Sequence, residues 1–226
     1  MGVIPTLILN GADKGGVGKT MIARAALDYF KDKGIRPSAF DTEPEPGVLR
    51  RFYKYAKPVD VALVRGQMEV FDDVPAAGYT FVDLRAGVLS RTLAAMRDAG
   101  LLRDVHDGKM RMVVLHVLGS TESSLREIKA TADVLAEGGE HVLLKNRATD
   151  SHFFEWDEET YRSYFPANVP LLEIPHLDGM ACEDVDKKGV SFRGYCGEES
   201  NSRTLRGIVR HWLDRVYVEF DKAKLC

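Results

Sequence analysis

From Lys14 to Thr20 the chain reads Lys-Gly-Gly-Val-Gly-Lys-Thr, a glycine cluster flanked by lysines and closed by a hydroxyl. A triphosphate needs several backbone N–H donors converging on its oxygens. Glycine lets a chain curl tightly enough for that, and a helix beginning just beyond the curl adds a dipole that favours negative charge. Gly15, Gly16 and Gly18 meet the first need, with Val17 among them and Met21 in the helix that follows. Lys19 is then placed to reach the β and γ phosphates, and the Thr20 hydroxyl to hold a magnesium ion. Glycines, lysine and threonine at this spacing have little purely structural use.

The strict pattern GxxxxGK(S/T) requires glycine at position 13, where this chain has Asp13. The variant KGGxGK(S/T), with an additional lysine at Lys14, fits instead. In this loop the sequence resembles the ParA/MinD family of ATPases, which carry a deviant Walker A motif. The resemblance implies ATP and Mg2+ as ligands. It also implies an ATP-dependent homodimer, because the family's signature lysine, here Lys14, reaches across to the nucleotide held by the partner subunit.

Two predicted strands end on acids. Asp41-Thr42-Glu43 is similar to the family's switch I sequence Asp-x-Asp, with Glu43 in place of the second aspartate. By that resemblance Asp41 lies near the magnesium shell and Glu43 near the attacking water, completing with Lys14 and Lys19 the catalytic set. Glutamate is one methylene longer, which displaces its carboxylate by roughly an ångström in a reaction that depends on positioning. Slow hydrolysis, or hydrolysis only with an activating partner, is the expectation. Asp83, in Phe81-Val82-Asp83-Leu84, matches the acid that holds magnesium through water, so the implied metal set is Thr20, Asp41 and Asp83. Gly87 lies near the family's switch II glycine or proline, at a looser spacing than DxxG or DxxP. Each acid has the alternative of simply capping a loop.

The resemblance further implies that Asn146 reads the adenine edge and that the loop Pro175-His176 packs against the base. An asparagine capping a strand end is the ordinary alternative for Asn146. The run Leu115-His116-Val117-Leu118-Gly119 and the Lys145-Asn146 strand end also look like the ParA-like proteins encoded with plasmid conjugal-transfer genes.

These residues need a scaffold that brings strand ends together. Leu7-Ile8-Leu9 is a short apolar run before the glycine loop, and Ile22, Ala23, Ala26, Leu27 and Phe30 recur at helical spacing until Gly34. Further strands are predicted over Ile35–Phe40, Tyr79–Leu84, Met110–Leu118, His141–Lys145 and Pro170–Ile174, with helices near Leu89–Ala99 and Ser123–Glu137. Strand-helix alternation of this kind predicts an α/β, three-layer fold with a mostly parallel central sheet flanked by helices, which by the resemblance is the P-loop NTPase fold. No linker, repeat or composition change divides the chain, so residues 1–226 are read as one domain.

The 226 residues are 45% hydrophobic and carry a formal net charge of −3, with no overall basic field for nucleic acid or anionic lipid. Nucleic-acid binding is expected to be weak, and a protein partner stays unidentified. Arg203, Arg206 and Arg210 form a basic edge on the terminal helix, diluted by Asp214 and Asp221. Arg50, Arg51, Lys54 and Lys57, interleaved with Phe52, Tyr53 and Tyr55, form a second cluster, suited to a partner or nucleic acid and equally to the outer face of an amphipathic helix. The aromatic-acidic run Phe153–Glu159 reads as a small helix folded onto the core or a surface for a basic partner. Cys182, Cys196 and Cys226 are widely spaced, which fits a reducing cytoplasm, and no segment reads as a signal peptide or membrane span. The histidines show no metal-binding spacing. The competing readings are a small-molecule carboxylate kinase or ligase of the dethiobiotin synthetase type, for which no acid-substrate pocket is evident, and a nucleotide-binding protein with little hydrolysis.

Overall fold

Among the described residues seven strands run parallel: β1 (Thr6–Gly11), β2 (Ser38–Asp41), β3 (Lys57–Pro58), β4 (Tyr79–Asp83), β5 (Arg111–Leu118), β6 (Glu140–Asn146) and β7 (Leu171–Ile174). The structure, a computed structural model, describes residues 4–12, 14–44, 47–118, 139–148 and 169–226. The strand order is β3-β2-β4-β1-β5-β6-β7, and every pairing is parallel. β1 sits at the centre with Asn10 beside Asp83 of β4 and Leu115 of β5. Every strand therefore delivers its carboxyl end to the same edge of the sheet, which is where the chemistry of such folds is built.

Both faces of the sheet are covered, so the strands carry apolar residues without strict alternation. Ile8, Phe81, Val113, Leu115 and Leu144 point into one core with α1 (Lys19–Asp32) and three carboxy-terminal helices, α6 (Gly179–Lys188), α7 (Phe192–Gly197) and α8 (Arg203–Lys222). Leu7, Leu9, Phe40, Val82 and Val114 point into the other, against α2 (Val64–Phe71), α3 (Val74–Ala77), α4 (Leu89–Asp98) and α5 (Leu101–His106). Layer, sheet and layer are the three-layer α/β arrangement that the alternation predicts.

The helix that follows the glycine loop is buried on every side from Ile22 to Phe30. It ends as the sequence requires. Gly34 adopts φ +74, and paired bonds from Ile35 N to Phe30 O (2.8 Å) and Gly34 N to Lys31 O (3.1 Å) close the last turn. Residue 35 is thus part of the helix cap and Pro37 has no N–H to give a ladder, so β2 begins at Ser38 rather than at Ile35. In α8, Val209, Trp212, Leu213, Val216 and Phe220 are buried, as the apolar face of that helix predicts.

The second basic cluster is not an amphipathic helix. Leu49–Arg51 makes a single 3-10 turn, after which the chain folds Phe52 and Tyr53 inward against α1. The predicted helix over 123–137 and the aromatic-acidic run at 153–159 lie outside the described residues.

Candidate functional site

The loop between β1 and α1 is shaped by glycines in the left-handed region, Gly16 at φ +76 and Gly18 at φ +87. Gly18 is the residue that enters the helix, and its carbonyl accepts the first helical bond, from Ile22 N at 3.1 Å. A side chain at Gly18 is excluded twice, by its φ and because a Cβ would lie 2.1 Å from Asn146 Nδ2. Gly15 and Gly16 are exposed, with no atom within 4 Å of a Cβ built on Gly16. No side chain caps the helix and no acid stands in its first turn, so no residue of the helix itself offsets the positive end of its dipole. Val17, Lys19, Thr20 and Met21 are half-buried, and Met21 packs on the core below.

Lys19 Nζ turns back over this loop and donates to the carbonyl of Lys14 at 3.1 Å. The arrangement ties the two lysines of the motif to one turn of chain. A cation held over a glycine turn at the uncapped start of a helix makes an anion cradle.

Beneath the cradle lies a residue that the sequence reading passed over. Asn10, the last polar position of β1 and fully buried, donates through Nδ2 to the Lys19 carbonyl at 2.8 Å and to Asp83 Oδ1 at 2.7 Å. It fixes the start of α1 relative to the end of β4. Its Oδ1 is buried without a partner. The only signal for it was an amide inside an apolar strand directly before the glycines.

Asp83 is the most perturbed carboxyl of the site. Burial drives it up to about 7, opposed by hydrogen bonds from Asn10 and the Thr20 side chain and by nearby Lys19, and raised further by Asp41 on the adjoining strand. A buried carboxyl hydrogen-bonded to a threonine in the first turn of α1 is one whose charged form a cation would stabilise. Thr20 and Asp83, two of the three residues expected to hold a metal, thus lie within hydrogen-bond reach of each other. Among the described residues no group of three or more His, Cys, Asp or Glu side chains that could hold a metal ion forms.

Asp41 has a different set of contacts. It is fully buried, with Oδ1 accepting from Glu43 N at 2.9 Å and Oδ2 from Leu49 N at 2.7 Å. Both carboxylate oxygens therefore hold the loop that runs from β2 to the 3-10 turn. Gly47, at φ +76, makes room for this, since a Cβ there would stand 2.8 Å from Asp41 Oδ2. Thr42, also missed in the sequence, stitches the two acidic strand ends: its hydroxyl donates to Asp83 O at 3.2 Å and accepts from Arg85 N at 2.7 Å. Glu43 is half-buried in the same loop, and Gly87, exposed at φ +79, lies beyond β4.

Asn146 at the end of β6 is buried and reaches the glycine loop. Its Nδ2 donates to Val17 O at 2.9 Å and its Oδ1 accepts from Ala148 N at 3.2 Å. The side chain clamps the loop and caps its own strand end. Farther along the edge, the buried Pro175 carbonyl accepts from Trp212 Nε1 at 2.7 Å, and exposed His176 bonds through Nδ1 to Arg147 O at 3.2 Å. These contacts tie the loops after β6 and β7 to each other and to α8.

No protein-family model and no curated protein matches the sequence. Solved structures do match. The MinC:MinD cell division protein complex of Aquifex aeolicus has a chain that superposes with a TM-score of 0.54 at 13% identity, covering 92% of this chain and 96% of its own. MinD of Aquifex aeolicus matches with a TM-score of 0.49 at 13% identity over 92% and 97% of the two chains. An ATP complex of a Cyanothece McdA variant matches with 0.49 at 12% over 96% and 97%. The first of these superpositions shows that the chain has the fold of the ParA/MinD-type P-loop ATPases. Among the described residues no helix is long and apolar enough to cross a membrane.

Proposed function

We propose that this chain is a ParA/MinD-like ATPase that binds Mg-ATP in the Lys14–Thr20 cradle and uses nucleotide state to switch its association with a partner. The observation that carries the reading is the cradle itself: an uncapped, acid-free helix start, left-handed glycines at Gly16 and Gly18, and Lys19 folded back over the loop, all seated on Asn10 and Asp83. Bound Mg2+ would neutralise charge on the β and γ phosphates, held by the Thr20 hydroxyl and Asp83. Lys19 would supply a point charge to the same oxygens in place of its bond to the Lys14 carbonyl. Asn146 would keep the loop in shape from the side.

Turnover is proposed to be slow. Both oxygens of Asp41 are engaged in anchoring the 42–49 loop, and Glu43 carries its carboxylate on a longer stem than the resemblance asks for. The loop that would order an attacking water is thus held to β2 by its own aspartate. Lys14, half-buried at the start of the loop, is proposed to act between subunits and to make dimerisation depend on ATP. The superposing chain from the MinC:MinD complex agrees with a protein that docks on others. Conjugation, plasmid or chromosome partitioning and cargo positioning are the processes such a switch would serve.

Sedimentation velocity with a slowly hydrolysed ATP analogue tests the switch. The wild-type chain is expected to dimerise with the analogue and Mg2+, and Lys14→Ala to bind nucleotide yet stay monomeric. A Lys14→Ala protein that dimerises normally removes the shared-site proposal. Stoichiometric phosphate transfer to a small carboxylic acid would replace it with the kinase reading.

A further inference from the structure

We propose that a cleft at the far end of α1 is a second ligand site, for a small organic anion that carries an aromatic ring. The cleft has a volume of about 400 Å³, inside the range of small-molecule sites. Its wall and floor include Phe52, Tyr53 and Tyr55, and its charged lining is Lys31, Arg36 and Lys54. No carboxylate lines it. Among the described residues none of the three cations forms an ion pair, although their neighbours do: Asp186 is taken by Arg51 at 3.0 Å, Asp221 by Lys33 at 2.8 Å and Asp32 by Arg193.

The chemistry beneath the surface adds to the same field. Arg24 is buried, with its guanidinium 3.5 Å from the centre of the Phe52 ring and 4.3 Å from that of Phe192. Its nearest ion pair, to Asp186, is long at 3.8 Å. Arg36 stands 4.9 Å from the centre of the Tyr55 ring, and Tyr55 meets Tyr53 edge to face at 6.0 Å. Tyr53 is fixed by its hydroxyl, which donates to Arg24 O at 2.7 Å. The aromatic surface is thus fixed and bordered by positive charge; the buried Asp28 carboxylate lies close enough to Lys31, Tyr53 and Tyr55 to act on them, but among the described residues no carboxylate forms an ion pair with a lining cation. A concave site of this composition selects a ligand whose ring packs on the tyrosines and whose sulfonate, phosphate or carboxylate meets the lysines and Arg36.

The cleft does not belong to the phosphate cradle. Lys31 stands about 18 Å along the helix from Lys19, at 1.5 Å per residue. The two sites share α1 and the chain that leaves the Asp41-anchored loop, but no residue.

The test uses the full chain and two dyes, 8-anilinonaphthalene-1-sulfonate and its uncharged relative N-phenyl-1-naphthylamine, followed by fluorescence. The sulfonated dye is expected to saturate at one equivalent, with and without Mg-ATP, and the neutral dye to bind at least tenfold more weakly. Lys31→Ser with Lys54→Ser, both exposed positions, is expected to weaken the sulfonated dye tenfold or more at unchanged melting temperature, and Tyr55→Leu to do the same independently. Unchanged affinity in both variants, equal binding of the neutral dye, or displacement by Mg-ATP would overturn the proposal. So would displacement by a single-stranded oligonucleotide that binds more tightly than any mononucleotide, since the cleft would then belong to a polymer. Failure of the nucleotide reading leaves these outcomes untouched.

Discussion

At the scale of single residues the two strand-end acids illustrate how much a carboxylate's role depends on where its lone pairs go. Asp41 and Asp83 stand side by side on β2 and β4, yet one holds a loop and the other sits under the cradle with Thr20 and Asn10. The sequence placed both acids at strand ends but carried no information on which backbone N–H groups would claim Asp41. Asn10 was illegible for a related reason: one amide in an apolar strand reads as the strand's boundary until its two acceptors are seen. Gly47 gives the Asp41 arrangement a direct test. Gly47→Ala puts a Cβ into the left-handed region and against Asp41 Oδ2, at a cost of about 1–2 kcal/mol for the backbone alone. Denaturant unfolding should show a loss of at least that size, and a neutral substitution would mean that Asp41 does not hold the loop as described.

A second residue-scale prediction concerns buried His116 and half-buried His141, whose rings stack 5.2 Å apart with Nε2 of the first 3.0 Å from Nδ1 of the second. Burial holds His116 down at about 3, with His141 adding to the shift. The unfolded chain titrates this group near 6.5, so between those values it binds a proton that the folded chain does not. The contribution is therefore complete above pH 6.5 and is lost as the pH falls below it, at about 1.4 kcal/mol per pH unit. Urea unfolding of wild type and His116→Gln across pH 5 to 8 should give curves that converge toward acid. Parallel curves would contradict a neutral buried ring.

At the scale of elements, the strand-loop-helix unit around the glycines was the most legible part of the chain. Apolar periodicity, a Gly34 stop and the turn chemistry all pointed to one geometry, and β1 and α1 have it. The cluster 50–57 was less legible, because alternating bases and aromatics satisfy a helix face and an irregular turn equally well. Packing of Phe52 and Tyr53 against α1 decided in favour of the turn. The contact between β6 and the loop makes a further distinction. Asn146 is bonded to Val17 O and Ala148 N, so Asn146→Ala should weaken ATP and GTP by a similar factor, about tenfold, through a loosened loop. Loss of ATP alone, with GTP unchanged, would assign the side chain to the adenine edge instead.

At the scale of the whole molecule, a parallel sheet covered on both faces collects Gly11, Asp41, Asp83, Asn146 and Ile174 at one edge from distant parts of the sequence. Strand count and alternation made that edge foreseeable. The order β3-β2-β4-β1-β5-β6-β7 was not foreseeable in detail, since a two-residue edge strand such as Lys57–Pro58 is too short to leave a periodic signal. This edge is proposed to be a triphosphate site built on Lys19. Calorimetric titration with ATP and Mg2+ tests it most directly. Wild type is expected to bind one nucleotide per chain, and Lys19→Ala, folded and of unchanged melting temperature, to show no heat of binding in the same range. Equal affinity in the two proteins would contradict the account at its foundation.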